Sequence, residues 1–245
     1  MKPVPSKKIV FVIVEGPSDD VALGYFLEKI YDSSLVHFHI MHCDITTERN
    51  VNSANILNKV GGVVKAYKNS NHLKTPDFRE IIHIIDMDGA YISDEAILLD
   101  ENAKKVIYSE ANITTDNVQG IKDRNRNKRS CVDKLSSTPK LCGIPYQSYY
   151  MSCNLDHVLY NKLNTSDEEK ENNAYAFVRN YKDDVNGFVE YMTESDFAVN
   201  GDYLSSWKYI KEQKHSLERH SNLCICIKRA LDQSADNVHE IDSHS

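Results

Sequence analysis

Two short apolar runs, each ending at carboxylates, most constrain how this chain can fold. Residues 9–14 end at Glu15, and residues 81–85 end at the tripeptide Asp-Met-Asp at positions 86–88. Runs this short and this rich in β-branched side chains are typical of buried strands rather than of helices. The sequence therefore predicts two buried strands that each stop at acidic residues.

The acidic residues occupy the positions where an open α/β sheet usually carries its functional groups, just beyond the carboxyl ends of the strands. If the two strands are neighbours, Glu15, Asp86 and Asp88 meet at one edge of the sheet. Crowded carboxylates repel one another, and a hard divalent cation relieves that repulsion. The glycine after each motif would let the backbone approach a ligand closely. We therefore expect these three residues to be catalytic and to bind Mg²⁺ or Mn²⁺.

The remaining pattern predicts an α/β fold with a mostly parallel sheet flanked by helices and a helical C-terminal addition. Apolar strand-like runs alternate with helical segments up to about residue 165, so we expect an α/β catalytic domain over 1–165 and a helical region over 166–245. The expected strands cover 8–14, 36–43, 78–86 and 144–152. The expected helices follow residue 16 and cover 55–67, 153–160, 174–192 and 203–217, with a helix or strand over 223–231.

A basic stretch interrupts the acidic background of a chain whose formal net charge is −7. Between residues 122 and 134, six basic side chains face only Asp123 and Asp133. Such a cluster can be a solvated surface loop or a contact to a nucleic-acid backbone. We predict the second role, and the candidate nucleic-acid-binding residues are Lys122, Arg124, Arg126, Lys128 and Arg129.

Composition narrows the classes of protein further. A hydrophobic content of 41% and a charged content of 27% are those of an ordinary soluble globular protein. The sequence contains neither an apolar run of about 18 residues nor a signal-peptide pattern, so we expect a cytoplasmic protein that does not contact membranes. The six cysteines include no Cys-x-x-Cys pair, which argues against a zinc site and favours reduced thiols.

The two acidic motifs carry a resemblance to a known family. Val-Glu-Gly-Pro-Ser-Asp at 14–19 and Ile-Asp-Met-Asp-Gly at 85–89 resemble the TOPRIM domain of topoisomerases, bacterial primases, recombination proteins and OLD-type nucleases. The resemblance covers roughly residues 7–165 and is closest to the small stand-alone, OLD-like nucleases of phage-defence systems. It implies that Glu15, Asp86 and Asp88 surround Mg²⁺ and carry out phosphodiester chemistry.

The same resemblance implies two further metal ligands. Asp19 matches the acidic position after the glycine of the first motif, and Asp156 opens an apolar helix after the fourth strand, where the family more often has glutamate. Each residue also has a structural reading. Asp19 can cap the helix that it begins, and Asp156 can complement a helix dipole in the first turn.

The activity implied by the resemblance is that of a Mg²⁺-dependent nuclease acting on DNA or RNA. No Gly-x-x-x-x-Gly-Lys-Ser/Thr loop is present, so an ATPase would be a separate subunit in phage defence. Self-association into a homo-oligomer stays open. One alternative is a non-catalytic nucleic-acid-binding module of the same fold. The other is a receiver-like phosphotransfer domain, which the Glu15-Gly16 pair fits poorly.

The local sequence also leads to an expectation about stability. No lysine or arginine lies within several residues of either motif on its C-terminal side, although the fold could supply partners from elsewhere. On that basis Asp88→Ala should remove activity while leaving the fold intact or slightly more stable, because repulsion between like charges is relieved.

Overall fold

The computed structural model describes residues 7–31, 36–42, 45–46, 48 and 50–242 of the chain. Within them the strands are β1 (Lys8–Val14), β2 (Val36–His42), β3 (Phe78–Asp86), β4 (Ile97–Leu99), β5 (Ile107–Tyr108), β6 (Ile113–Thr115), β7 (Lys140–Leu141) and β8 (Ile144–Met151). The helices are α1 (Pro17–Ile30), α2 (Ile56–Ser70), α3 (Val118–Ser136), α4 (Leu155–Tyr160), α5 (Asp167–Tyr181), α6 (Val185–Glu194), α7 (Tyr203–Tyr209) and α8 (Leu223–Asp242).

The central sheet has the strand order β2-β1-β3-β8-β7. Its first four strands are mutually parallel, and only β7 runs antiparallel to its neighbour. The predicted α/β fold with a mostly parallel, helix-flanked sheet is therefore confirmed. Residue 43, the last of the predicted second strand, lies outside the described residues.

Helices cover both faces of this sheet, which explains why β1 is apolar from Ile9 onward. Val10 and Val12 face a core formed with α1, α5, α6 and α8. Phe11 and Ile13 face the other core, formed with α2, α3 and α7. Strands buried on both faces read as continuous apolar runs because successive side chains point to opposite sides.

The C-terminal region is helical, as expected, but its helices begin and end at different residues. The predicted helix over 174–192 is two helices, and α5 begins at Asp167, inside a polar stretch that resembles a linker. Ser166 and Glu169 form a capping box there, which is a sequence signal for a helix start. Phe188 of α6 stacks on Phe26 of α1 at 4.1 Å between ring centroids, so these helices share the core of the sheet.

The weakly patterned segment between residues 99 and 144 contains a small sheet, of strand order β4-β6-β5, and the 19-residue helix α3. The buried side of α3 includes Ile121, Asn125, Lys128, Val132 and Leu135. These residues repeat at helical spacing, but two of them are polar, which hides the apolar period in the sequence. The basic stretch is thus helical rather than a loop.

The five cysteines in the described part of the chain are free thiols, and Cys43 lies outside it. Among the described residues, no helix combines the length and the apolar character needed to cross a membrane.

Candidate functional site

The two predicted acidic motifs lie side by side. Strands β1 and β3 are hydrogen-bonded parallel neighbours, with Ile13 opposite His83. Just beyond them, Glu15 Oε1 accepts a hydrogen bond from the backbone N–H of Asp86 at 3.1 Å. The expectation that Glu15 and Asp86 end neighbouring strands is therefore confirmed.

The backbone after β3 makes a tight turn that is anchored by its own hydrogen bonds. Asp88 adopts φ +48°, which is sterically costly for a residue with a Cβ, and Gly89 adopts φ +67°, which glycine tolerates. The Asp88 N–H donates to the Cys153 carbonyl at 2.8 Å, and the Gly89 N–H donates to the Ser216 carbonyl at 3.1 Å. These bonds fix the direction in which the Asp88 carboxylate leaves the backbone.

Gly89 is required by packing inside the protein. A Cβ at this position would lie 2.5 Å from Cδ2 of Leu217, which is fully buried. The structure thus gives a reason for this glycine other than the expected close approach of a ligand. Gly16 has extended backbone and serves as the N-cap residue of α1.

A buried lysine faces the two motifs. The Lys128 side chain is 0% exposed, and its Nζ donates to Asp88 Oδ2 and lies 3.8 Å from Glu15 Oε1. The Glu15 and Asp88 side chains are 17% and 22% exposed, so solvent reaches these acidic side chains but not the lysine side chain. Lys128 therefore approaches them from the protein interior.

This placement corrects the expectation that Lys128 belongs to an exposed phosphate-binding surface. Arg124 also turns toward the acidic site and is half-buried. Its guanidinium donates to the Asp88 carbonyl at 2.8 Å and to the Tyr108 hydroxyl at 2.6 Å. Asn125 Nδ2 donates to the Gly89 carbonyl at 3.3 Å. One face of α3 thus clamps the 86–89 segment.

The other three predicted nucleic-acid-binding residues of α3 lie away from the carboxylates. Lys122 lies 3.7 Å from Asp94, and Arg126 bonds to Asp123 at 2.9 Å with 65% of its side chain exposed. Arg129 is partly buried near Tyr91. Burial raises the pKa of Tyr91, and the positive charge of Arg129 opposes that rise. The basic residues of α3 therefore divide between a structural face and a solvent-facing side.

Electrostatics separate the carboxylates into two kinds. Burial raises the pKa of Asp86 well above its usual range, and Glu15, Asp19 and Asp88 add repulsion. Burial alone would also raise the pKa of Asp88, but Lys128 and Arg124 outweigh it and lower that pKa. Burial would lower the pKa of Lys128, yet Asp88 and Glu15 raise it. At neutral pH the lysine and Asp88 form a charged pair, whereas Asp86 resists ionisation.

The charges of Asp19 and Asp156 influence each other, and Asp19 also influences Asp86. Asp19 Oδ2 accepts from the Gly16 N–H at 2.9 Å, which confirms its capping role. Burial nevertheless raises the pKa of Asp19 to about 6, with Lys170 opposing this rise and Asp156 adding to it.

Asp156 is buried at the start of α4, and its pKa is raised, chiefly by burial. Its Oδ1 has no hydrogen-bond partner within the described part of the protein. Asp156 lies in the first turn of α4, as its structural reading predicted, and the N-cap is Asn154, whose side chain accepts from the His157 N–H at 3.0 Å.

The donor chemistry suits a hard cation, because all five acidic side chains offer oxygen ligands. Over the described ranges, however, no three aspartate, glutamate, histidine or cysteine side chains converge closely enough to hold a metal ion. Two of the expected ligands, Glu15 and Asp88, are directed at the Lys128 ammonium instead.

Comparison of the chain with protein-family models, with curated proteins and with solved structures finds no match. What the protein does is therefore inferred from the residues of the site and their surroundings.

Sequence reasoning missed the part that α3 plays in the site. Lys128 follows Ile121 by seven residues and precedes Val132 by four, and both of these apolar residues are buried. This helical spacing could have indicated that Lys128 lies on the buried side of a helix. The structure changes the premise of the stability expectation for Asp88→Ala, because the fold supplies a buried cation partner. Loss of the Asp88 carboxylate would leave the Lys128 ammonium with only Glu15, at 3.8 Å, so we expect a loss of stability rather than a gain.

Proposed function

We propose that the protein is a divalent-cation-dependent nuclease of the TOPRIM type that hydrolyses phosphodiester bonds in DNA or RNA. The observation that carries this proposal is the gathering of Glu15, Asp19, Asp86, Asp88 and Asp156 around the carboxyl ends of β1, β3 and β8, where electrostatic coupling links them. Parallel sheets commonly bind ligands at this edge.

A purely structural role explains this acidic cluster poorly. The pKa of Asp88 is lowered by its cationic neighbours, whereas Asp19, Asp86 and Asp156 are held in surroundings that oppose their ionised forms. Carboxylates kept in unfavourable surroundings are typical of sites at which a ligand supplies the missing positive charge.

Glu15, Asp86 and Asp88 would hold Mg²⁺ or Mn²⁺, with Asp19 and Asp156 as further oxygen donors. A cation bound there would supply charge stabilisation to the phosphate and lower the pKa of an attacking water. The chain itself supplies rigidity, because Arg124 and Asn125 hold the backbone of the 86–89 segment. Positioned ligands are what such chemistry requires.

Nucleic acid would approach from the solvent side of the carboxylates. Among the predicted nucleic-acid-binding residues, Arg126 and Lys122 can reach phosphates, since their present partners are exposed aspartates. The same proposal places the protein in phage defence, where it would act together with a separate ATPase subunit.

The test is incubation of the protein with labelled plasmid, single-stranded DNA and tRNA in Mg²⁺, Mn²⁺ or EDTA. We expect metal-dependent cleavage that is lost in Glu15→Gln and Asp86→Asn and kept in Asp183→Asn, whose side chain is 91% exposed. Full cleavage by both site variants, or cleavage undiminished by EDTA, would show that the chemistry lies elsewhere.

A non-catalytic nucleic-acid-binding module is the second candidate. It is favoured by the Lys128 ammonium, which already neutralises Asp88 and lies near Glu15. This reading predicts nucleic-acid binding that is unaffected by EDTA and no cleavage of any of the three substrates.

A further inference from the structure

The ammonium of Lys128 is fully buried. It donates to Asp88 Oδ2 and lies 3.8 Å from Glu15 Oε1. Removing an ammonium from water is costly unless the surrounding charges compensate it. Glu15 and Asp88 provide that compensation, so the lysine and the two carboxylates stabilise one another.

The helix that carries Lys128 is fixed relative to the acidic loop. Arg124 and Asn125 bond to the carbonyls of Asp88 and Gly89, and Val132 and Leu135 are fully buried in the core beneath the sheet. The ammonium can therefore leave the carboxylates only by a movement of its own side chain, which has four rotatable bonds.

We propose that Lys128 is the resident counter-ion of Glu15 and Asp88, and that a divalent cation binds these carboxylates in competition with its ammonium. The inference rests on the proposed function for the identity of the carboxylates as metal ligands. A carboxylate oxygen that accepts from an ammonium offers less electron density to a metal, and the two cations repel each other at such short range. The lysine therefore weakens metal binding while it stabilises the metal-free protein.

The variant that tests this competition is Lys128→Met, which keeps the length and apolar stem of the side chain and removes its charge. Lys134→Met is the matched control, because Lys134 lies on the same helix at an exposed position. Mn²⁺ affinity is measured by calorimetry, and thermal unfolding is followed in EDTA and in increasing Mn²⁺.

We expect Lys128→Met to bind Mn²⁺ at least about tenfold more tightly than the wild type, because a competing charge has been removed. In EDTA the variant should melt at a lower temperature than the wild type. Added Mn²⁺ should raise the melting temperature of the variant more than that of the wild type. The control variant should match the wild type in both measurements. Unchanged or weaker Mn²⁺ binding by Lys128→Met would overturn the competition. So would a variant that stays unfolded at saturating Mn²⁺, because the metal should be able to replace the ammonium.

The outcomes also separate this inference from the proposed function. If neither the wild type nor Lys128→Met binds Mn²⁺, the cation site itself is wrong, and both proposals fall. If both bind, the variant more tightly, and the wild type cleaves no nucleic acid, the competition stands and the nuclease proposal falls. If the wild type binds Mn²⁺ and cleaves but the variant binds no more tightly, only the competition is overturned.

Discussion

Asp19→Asn should stabilise the metal-free protein, by an amount that grows with pH. Asparagine has the same shape and keeps an oxygen that can accept the Gly16 N–H, so the cap of α1 survives the change. What the variant loses is a buried negative charge beside Asp156, which is a second buried carboxyl group.

The size of the effect follows from the shifted pKa. Burial raises the pKa of Asp19 from 3.8 to about 6, a difference of about two pKa units. Each unit corresponds to about 1.4 kcal/mol, so ionised Asp19 costs the folded state up to about 3 kcal/mol. The pKa of Asp19 is higher in the folded protein than in the unfolded chain. The stability that protonated Asp19 contributes to the wild type is therefore fully present below pH 3.8 and is lost as the pH rises through about 6.

Urea unfolding followed by circular dichroism in EDTA measures this difference. At pH 8 we expect Asp19→Asn to exceed the wild type by up to about 3 kcal/mol, and at pH 4 by less than about 1 kcal/mol. Asp20→Asn is the control, because Asp20 lies one residue further along α1, is 38% exposed and pairs with His42. Its effect should stay within about 1 kcal/mol at both pH values.

A gap that does not widen between pH 4 and pH 8 would refute the reasoning, and so would an Asp19→Asn variant less stable than the wild type at pH 8. Saturating Mn²⁺ should narrow the gap at pH 8, because a bound cation would compensate the charge that the variant removes.

Three further changes test other parts of the structure. Asp88→Asn should destabilise the protein by about 1–3 kcal/mol in urea unfolding, because it leaves the buried lysine without its closest carboxylate; unchanged or higher stability would contradict this pairing. Gly89→Ala should lower the free energy of unfolding by about 2–4 kcal/mol, because Gly89 has a positive φ and leaves no space for a Cβ. Its control, Gly62→Ala on α2, should raise the free energy of unfolding by about 0.5–1 kcal/mol, because a Cβ there meets no atom within 4 Å. Arg126→Glu should weaken nucleic-acid binding at low salt and flatten its salt dependence, and Lys182→Glu on α5's C-terminal side should not; equal effects would exclude a specific contact by Arg126.

Local sequence patterns were sufficient to predict the two strands that end at acidic residues. The run that ends at Glu15 is continuously apolar, and the run that ends at Asp86 is apolar except for His83, because both strands are buried on both faces. Strand identity and the position of each strand end depend on neighbouring residues in the chain, and so they could be predicted. The alternation of strands and helices predicts that these strands are parallel. That β1 lies next to β3, which brings Glu15 to Asp86, was decided by the fold.

The pairing of Lys128 was decided by the tertiary structure. In sequence it belongs to a basic cluster and resembles a solvent-exposed residue, because lysine is rarely buried without a partner. Its partner Asp88 lies 40 residues earlier and reaches it only when α3 packs beside the end of β3. A charge can be buried when an opposite charge meets it in space, and that meeting is a property of the folded chain. The sequence by itself thus determined where the carboxylates lie, and the packing of α3 determined which cation faces them.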